Sequence, residues 1–261
     1  MNTLSSFPEW LLFILIVGGS IGLVWSATLI TSLWMRGRKT SKLTELHKTA
    51  SSSVNTVLTF LLGFLVVTSW GNFHAADQAV TQEAASMTVL ARAAQALPLP
   101  LRIELLTHLH RYIELVITDE WPIMAQGHGQ ASPQALAEFG KLWTVCQDRL
   151  NSIPACHEVQ DDLGQLSSQR ALRLLSGRGY LPDVFWLMLL LGVLTVILMS
   201  LFLSTDEIGV GKQLLLRALN IGSISLLLWL IILINNPYTG DARITPDAFQ
   251  YPLFIIQSFS R

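Results

Sequence analysis

Four long apolar runs alternate with polar segments along the chain, at residues 10–35, 54–73, 184–203 and 214–234. A helix of about 20 apolar residues crosses a hydrocarbon core of roughly 30 Å, and each run has about this length. The pattern therefore predicts four transmembrane helices, with a polar segment between the second and the third.

The polar segment 74–181 shows apolar residues at steps of three and four and never with period two, which indicates helices without a sheet. The second spanning helix is predicted to run on through 75–97, because this stretch lacks proline and glycine. Three further helices are predicted, beginning near Pro100, Pro133 and His157. Their predicted buried faces are Leu101, Leu105, Leu109, Tyr112, Ile113 and Val116, then Leu136, Phe139, Trp143, Cys146 and Leu150, then Val159, Leu163, Leu166 and Leu175.

The fold class that follows is all-α: a membrane protein with four transmembrane helices and a helical extramembrane bundle inserted between the second and the third. The predicted domains are 1–73, with a basic loop at 36–53, then 74–181, 182–236, and a C-terminal tail at 237–261. The first run has no Lys or Arg before it and is too long for a signal peptide, so it is interpreted as a retained anchor.

Composition supports the membrane assignment, because 51% of the residues are hydrophobic and only 13% are charged. The net charge of -1 argues against a partner nucleic acid, which requires an excess of basic residues. Positive charge concentrates in loop 36–53, which we expect to be cytoplasmic. Domain 74–181 then lies outside the cytoplasm, periplasmic or extracellular, in a multi-pass membrane protein.

Candidate chemistry in the polar segment is sparse. Cys146 and Cys156 can form a disulfide in an exported domain, or they are unrelated small hydrophobic residues in helix faces. The acid pairs at 119–120 and 161–162 are interpreted as solvated or capping residues. The sequence contains no catalytic motif and no metal-ligand spacing, so we predict no enzyme activity, metal or cofactor.

The second apolar run carries the most informative pattern. Thr56, Phe60, Gly63, Phe64 and Val67 recur at steps of three and four, so they share one face of a helix. That face either lines a narrow passage or packs against neighbouring helices, for which a small residue such as Gly63 is suited.

Two segments carry a family resemblance. Residues 60–64 read FLLGF and residues 67–70 read VTSW, and together they resemble the pore helix of bestrophin channels. Residues 236–241, NPYTGD, resemble the NPFGED segment that bestrophins carry after the last helix. The whole chain is similar to bacterial bestrophin-like membrane proteins. The shared features are the glycine in the second helix, the Ala-rich continuation at 75–85, Glu120-Trp121-Pro122, Leu181-Pro182 and the Asn-Pro-aromatic segment.

The resemblance implies an oligomer, since five bestrophin subunits surround a pore whose neck is apolar. The matching neck positions here are Thr56, Phe60 and Phe64. Bestrophins bind calcium through an acidic cluster beside the Asn-Pro motif, but here only Asp241 and Asp247 remain, so we do not expect calcium gating. Bestrophins also keep their helical domain in the cytosol, whereas the loop charges of this chain place it outside.

The first hypothesis is therefore a homo-oligomeric, pentameric channel in membrane lipid that passes small ions through the neck. The second is a non-conducting membrane scaffold or stress sensor whose extramembrane bundle binds a partner.

Overall fold

The computed structural model describes residues 9–34, 41–126, 129–202 and 210–259, and their regular structure is helical throughout. The α-helices are α1 (Glu9–Phe13), α2 (Gly19–Trp34), α3 (Ser41–Ala93), α4 (Leu99–Leu115), α5 (Trp121–Met124), α6 (Pro133–Gln147), α7 (Ala155–Ser176), α8 (Asp183–Phe202), α9 (Val210–Asn235) and α10 (Gln250–Phe259). Two compact units divide the chain: unit 1 holds the described residues up to 70 together with 181–235, and unit 2 holds 71–180 together with those from 236 onward.

Spanning-length helices are present at three of the four predicted runs. Trp10–Ile30, Thr49–Ala96 and Gly211–Asn235 are long and apolar enough to cross a membrane. The predicted third span appears as the shorter apolar helix Asp183–Met199, so the count of four stays a prediction. The predicted span ends at 35 and 203, and residues 36–40 of the basic loop, lie outside the described residues.

Unit 1 is held together by an apolar core and by interhelical polar contacts. Leu58 and Leu62 of α3 are buried in this core. A Cβ atom at Gly192 would lie 2.8 Å from Leu58, so α3 approaches α8 where α8 has no side chain. The hydroxyls of Ser20 and Ser225 lie 2.7 Å apart. Such small and hydroxylated residues let membrane helices pack closely.

Helix α3 is continuous from Ser41 to Ala93, as the absence of proline and glycine from 75–97 predicts. A short 3₁₀ turn at Ala94–Ala96 ends it, and Pro98 is the N-cap of α4. Helix α6 begins as predicted, because the side chain of Ser132 accepts a hydrogen bond from the backbone of Ala135.

A π-turn, Val116–Glu120, joins α4 to α5. A π-turn adds one residue to a helical turn, so the side chains that follow it point in a different direction around the helix axis. Such turns often occur at functional sites. Here the last residue of the turn, Glu120, and the first residue after it, Trp121, are both buried.

The predicted buried faces are correct for α4 and partly wrong for α6 and α7. All six predicted residues of α4 are buried, but Leu136 of α6 and Leu175 of α7 are exposed. The prediction assumed that charged residues face water. The structure instead buries Glu138, Arg170 and Arg173 on the inner faces, which leaves the two leucines outside.

Residues predicted as the C-terminal tail, 237–261, contribute to the core of unit 2. Tyr238, Ile244, Phe249 and Ile256 are buried among the residues of α3 to α7. The Trp121 indole nitrogen donates a 3.3 Å hydrogen bond to the carbonyl of Ile244. The core of unit 2 is therefore built from two separate stretches of sequence.

Candidate functional site

The predicted pore-lining residues form one exposed face of α3. Phe60 is 80% exposed, Phe64 61% and Val67 71%. Thr56 is also exposed, and Gly63 is half-buried with nothing within 4 Å of the position that its Cβ would occupy. The structure thus brings all five residues together on a surface that no described part of the chain covers. We call Thr56, Phe60, Gly63, Phe64 and Val67 the neck face.

The opposite side of α3 explains this orientation. Leu58, Leu62 and Leu65 are buried in the core of unit 1. They recur at steps of three and four, so packing them against the other helices turns the neck face outward.

Apolar side chains occupy only a short part of this face. From Phe60 to Val67 the helix rises about 10 Å at 1.5 Å per residue. The preceding positions on the face are Thr56 and Ser53, and the following ones are Gly71 and His74, all exposed. The apolar part of this line is therefore about one third of a hydrocarbon core of roughly 30 Å, and the exposed Val57 and Trp70 beside it extend the apolar surface to about 20 Å.

The hydroxyl groups beside the phenylalanines bond to their own helix. Thr56 Oγ1 donates to the carbonyl of Ser52 at 2.9 Å, and Ser53 Oγ donates to the carbonyl of Thr49 at 3.0 Å. Each hydroxyl has one proton, so the side that faces away from the helix presents oxygen lone pairs.

Cys146 and Cys156 lie together in the core of unit 2 as buried free thiols. Burial raises the pKa of the Cys146 thiol to about 12, and the hydrogen-bonded thiol of Cys156 adds to the rise. The predicted disulfide is not formed in this structure and stays a prediction for an oxidising compartment.

Unit 2 also contains a buried ion network that the sequence analysis missed. Arg173 of α7 is fully buried and donates from Nε and Nη2 to the carboxylate of Glu83 on α3. Its Nη2 also donates to Glu120, which in turn accepts from Arg170 at 2.6 Å. Tyr112 completes the network by donating to Glu83 at 3.0 Å.

Two carboxylates and two guanidinium groups balance the charge of this network. Burial alone would lower the pKa of Arg173, but Glu83 and Glu120 raise it well above the ordinary value. For the Tyr112 hydroxyl, burial acts in the opposite direction: burial, and then the charge of Glu83, raise its pKa well above the ordinary value. The interpretation of Glu120 as a solvated acid is therefore wrong, because its carboxylate is buried and holds two arginines. The capping alternative agrees with one contact: the carboxylate also accepts a 3.0 Å hydrogen bond from the backbone N–H of Ser132, the N-cap residue of α6.

A signal for the network is present in the spacing of α7. Its buried positions continue regularly from Val159, Leu163 and Leu166 to Arg170 and Arg173. Two arginines at the inward positions of an amphipathic helix predict buried acidic partners, because an unpaired buried charge is too costly. The partners themselves come from distant parts of the chain, so spacing does not identify them.

Metal ligands are not clustered in the described residues, where no group of three His, Cys, Asp or Glu side chains is placed to hold an ion. Of the two acidic residues after the Asn-Pro segment, Asp247 accepts a hydrogen bond from Thr245 at 2.6 Å.

Comparisons with solved structures show the fold. A bacterial bestrophin homologue from Klebsiella pneumoniae, carrying one substitution, has a TM-score of 0.74 at 11% identity, covering 94% of this chain and 96% of its own. A second variant of that homologue has a TM-score of 0.72 at 12% identity, covering 95% and 98%. Another structure, described as a membrane protein, has a TM-score of 0.73 at 11% identity, covering 94% and 98%.

No relative is found among curated proteins. A model of the Bestrophin-like domain, however, matches residues 6–249. This match covers nearly the whole chain and includes both units, and it agrees with the fold of the bacterial homologues. The protein belongs to the bestrophin-like family of membrane proteins.

Proposed function

We propose that the protein is an oligomeric ion channel that conducts small ions through a central neck formed by α3. Copies of the chain surround an axis so that Thr56, Phe60, Gly63, Phe64 and Val67 of each copy face the lumen. Family membership supports this proposal, because the bestrophins that the chain resembles are ion channels.

The observation that carries the proposal is the composition of the exposed neck face. A helix face that meets lipid needs apolar residues across the whole hydrocarbon core. Along the line of the neck face the apolar side chains are Phe60, Phe64 and Val67, with hydroxyl groups on one side and Gly71 and His74 on the other, and the exposed apolar residues Val57 and Trp70 flank this line. This order of polar, apolar and polar positions along the helix suits a water-filled passage with a short hydrophobic constriction.

A hydrophobic constriction controls conduction by excluding water until it widens. Rings of Phe60 and Phe64, one turn apart, provide such a constriction. A central pore requires closed rotational symmetry, and the resemblance to bestrophins favours five subunits. The proposal includes four spans in the bacterial inner membrane, with loop 36–53 cytoplasmic and domain 74–181 on the other side, following the loop charges.

Planar-bilayer recording of the purified full-length protein tests the proposal. Phe60→Ala and Phe64→Ala should each raise the single-channel conductance, because a smaller side chain widens and hydrates the constriction. Leu190→Ala is the matched control, since Leu190 is an exposed apolar residue of α8 outside the neck. Absence of current from the wild-type protein, or an equal effect of the control, contradicts the proposal.

A scaffold or stress-sensor function is the second candidate, and a cleft in unit 2 favours it. Leu172, Leu175 and Tyr180 line this cleft together with Ala75 and Ala79 of α3, and its volume is about 400 Å³. Exposed leucines beside small residues are suited to a partner helix. Capture experiments with the full-length protein test this candidate, and Leu175→Asp should abolish any capture that uses the cleft.

A further inference from the structure

We infer that a cleft beside α3 in unit 2 binds a basic amino acid, with its two cationic groups on Asp77 and Asp247 and its carboxylate on Arg243. The cleft has a volume of about 380 Å³, which is within the range of small-molecule sites. Helix α3 contributes Asp77 and Thr81, and the segment between α9 and α10 contributes Arg243, Thr245 and Asp247. All of these residues belong to unit 2, so the site does not depend on the proposed channel function.

Three charged side chains line this cleft without neutralising one another. The ion pairs found among the described residues of unit 2 do not include Asp77, Arg243 or Asp247. Two carboxylates and one guanidinium group give the lining a formal charge of -1. Electrostatic complementarity therefore favours a ligand that carries one more positive group than negative groups.

The hydrogen-bonding groups of the cleft favour the same kind of ligand. Thr245 Oγ1 donates to Asp247 Oδ2 at 2.6 Å, and Thr81 Oγ1 donates to the backbone carbonyl of Asp77 at 3.0 Å. Both hydroxyl protons are thus used, so the threonines and the carboxylates present acceptors to a ligand. Ammonium groups supply donors to these acceptors, whereas the N–H groups of Arg243 pair best with a carboxylate.

Apolar residues complete the lining and favour an organic ligand over a metal ion. Val80 and Ile244 are buried, and both line the cleft. The methylene groups of a lysine side chain can bury apolar area against them while its charged end stays among the polar groups. A calcium ion takes about six to eight oxygen ligands, and two carboxylates beside an arginine do not provide such a set.

Isothermal titration calorimetry of the full-length protein in detergent, with L-lysine as the probe, tests the inference. Lysine should bind saturably. Cadaverine has both amino groups but no carboxylate, so it should bind about tenfold more weakly, the factor expected for the loss of one charged hydrogen bond. Arg243→Gln should weaken lysine binding by about tenfold without weakening cadaverine binding. Asp77→Asn and Asp247→Asn should each weaken the binding of both ligands by about tenfold.

Arg178→Gln and Asp161→Asn are the matched controls, because they remove the same charges from exposed positions of unit 2 outside the cleft. Both should leave lysine binding unchanged. The inference is overturned if the wild-type protein shows no saturable binding of lysine, if cadaverine binds as tightly as lysine, or if the control variants lose as much affinity as the cleft variants. These measurements involve no current, so their failure leaves the channel proposal standing.

Discussion

The buried arginine Arg173 is the described residue of unit 2 whose charge interacts with the most partners. Arg173 reaches two carboxylates from different parts of the chain and stacks near Trp121 and Phe249, with its guanidinium 5.4 and 5.9 Å from their ring centres. A buried ion pair contributes little net stability compared with an apolar replacement, but the loss of one partner strands the other charge. The network therefore favours one arrangement of α3, α7 and the π-turn.

Glu83→Gln should reduce the free energy of unfolding of unit 2 by about 3 to 5 kcal/mol, because Arg173 keeps its buried charge and loses a partner. Chemical unfolding of the detergent-solubilised protein measures this change. Asp161→Asn removes the same charge from an exposed position of α7 and should change stability by less than about 0.5 kcal/mol. Equal effects of the two variants would show that the ion network does not stabilise the fold.

Glu138 makes stability depend on pH at the contact between α4 and α6. Burial alone would raise the pKa of Glu138, but hydrogen bonds from Lys141 and His108 lower it below the ordinary value. A lowered folded pKa gives stability that is present above the unfolded glutamate pKa of about 4.3 and is lost as pH falls through the folded pKa.

Unfolding midpoints at decreasing pH should therefore show a loss of stability below about pH 4.3 in the wild-type protein. Glu138→Gln has no carboxyl group to protonate, so it should lose less stability over the same range. A parallel decline in both proteins would assign the acid sensitivity to other groups.

At the scale of elements, α3 is the feature that sequence predicts best. Its length follows from an apolar run joined to a stretch without proline, and the neck face follows from residue spacing. The packing of α6 and α7 was harder to predict, because Glu138, Arg170 and Arg173 lie inside and contradict the rule that charge faces water. The π-turn was also not predicted, since no residue type marks it.

Ala85→Pro tests the continuity of α3. Ala85 is exposed in the helix interior, so proline there disturbs few side chains but removes a backbone hydrogen bond and clashes with the preceding turn. We expect a loss of about 3 kcal/mol or more in unfolding free energy, against about 1 kcal/mol for Ala85→Gly. Similar small losses for both variants would indicate a break in the helix near this position.

At the scale of the whole molecule, assembly decides whether the neck face encloses anything. One chain leaves Phe60 and Phe64 uncovered, and only a ring of copies turns such a face into a lumen. Family membership and fold were accessible from sequence, because the motifs at 60–70 and 236–241 are local. The subunit number and the ion pathway could not be predicted from the sequence, because they depend on contacts between copies of the chain.

Native mass spectrometry of the protein released from detergent or nanodiscs should therefore give a closed homo-oligomer, with five copies as the expected number. Phe60→Ala should leave this number unchanged, because the proposed role of Phe60 is to face the lumen rather than a neighbouring subunit. A monomer, or a dimer without a shared cavity, would favour the scaffold candidate.

The split composition of unit 2 has a consequence for biosynthesis. Tyr238, Ile244, Phe249 and Ile256 complete a core whose other buried residues precede α8 and α9 in the sequence. During translation, the ribosome synthesises α8 and α9 before it synthesises these core residues. The core of unit 2 therefore remains incomplete while the membrane segments are inserted. Protection of the nascent bundle from protease should accordingly appear only after the segment around residue 256 has left the exit tunnel.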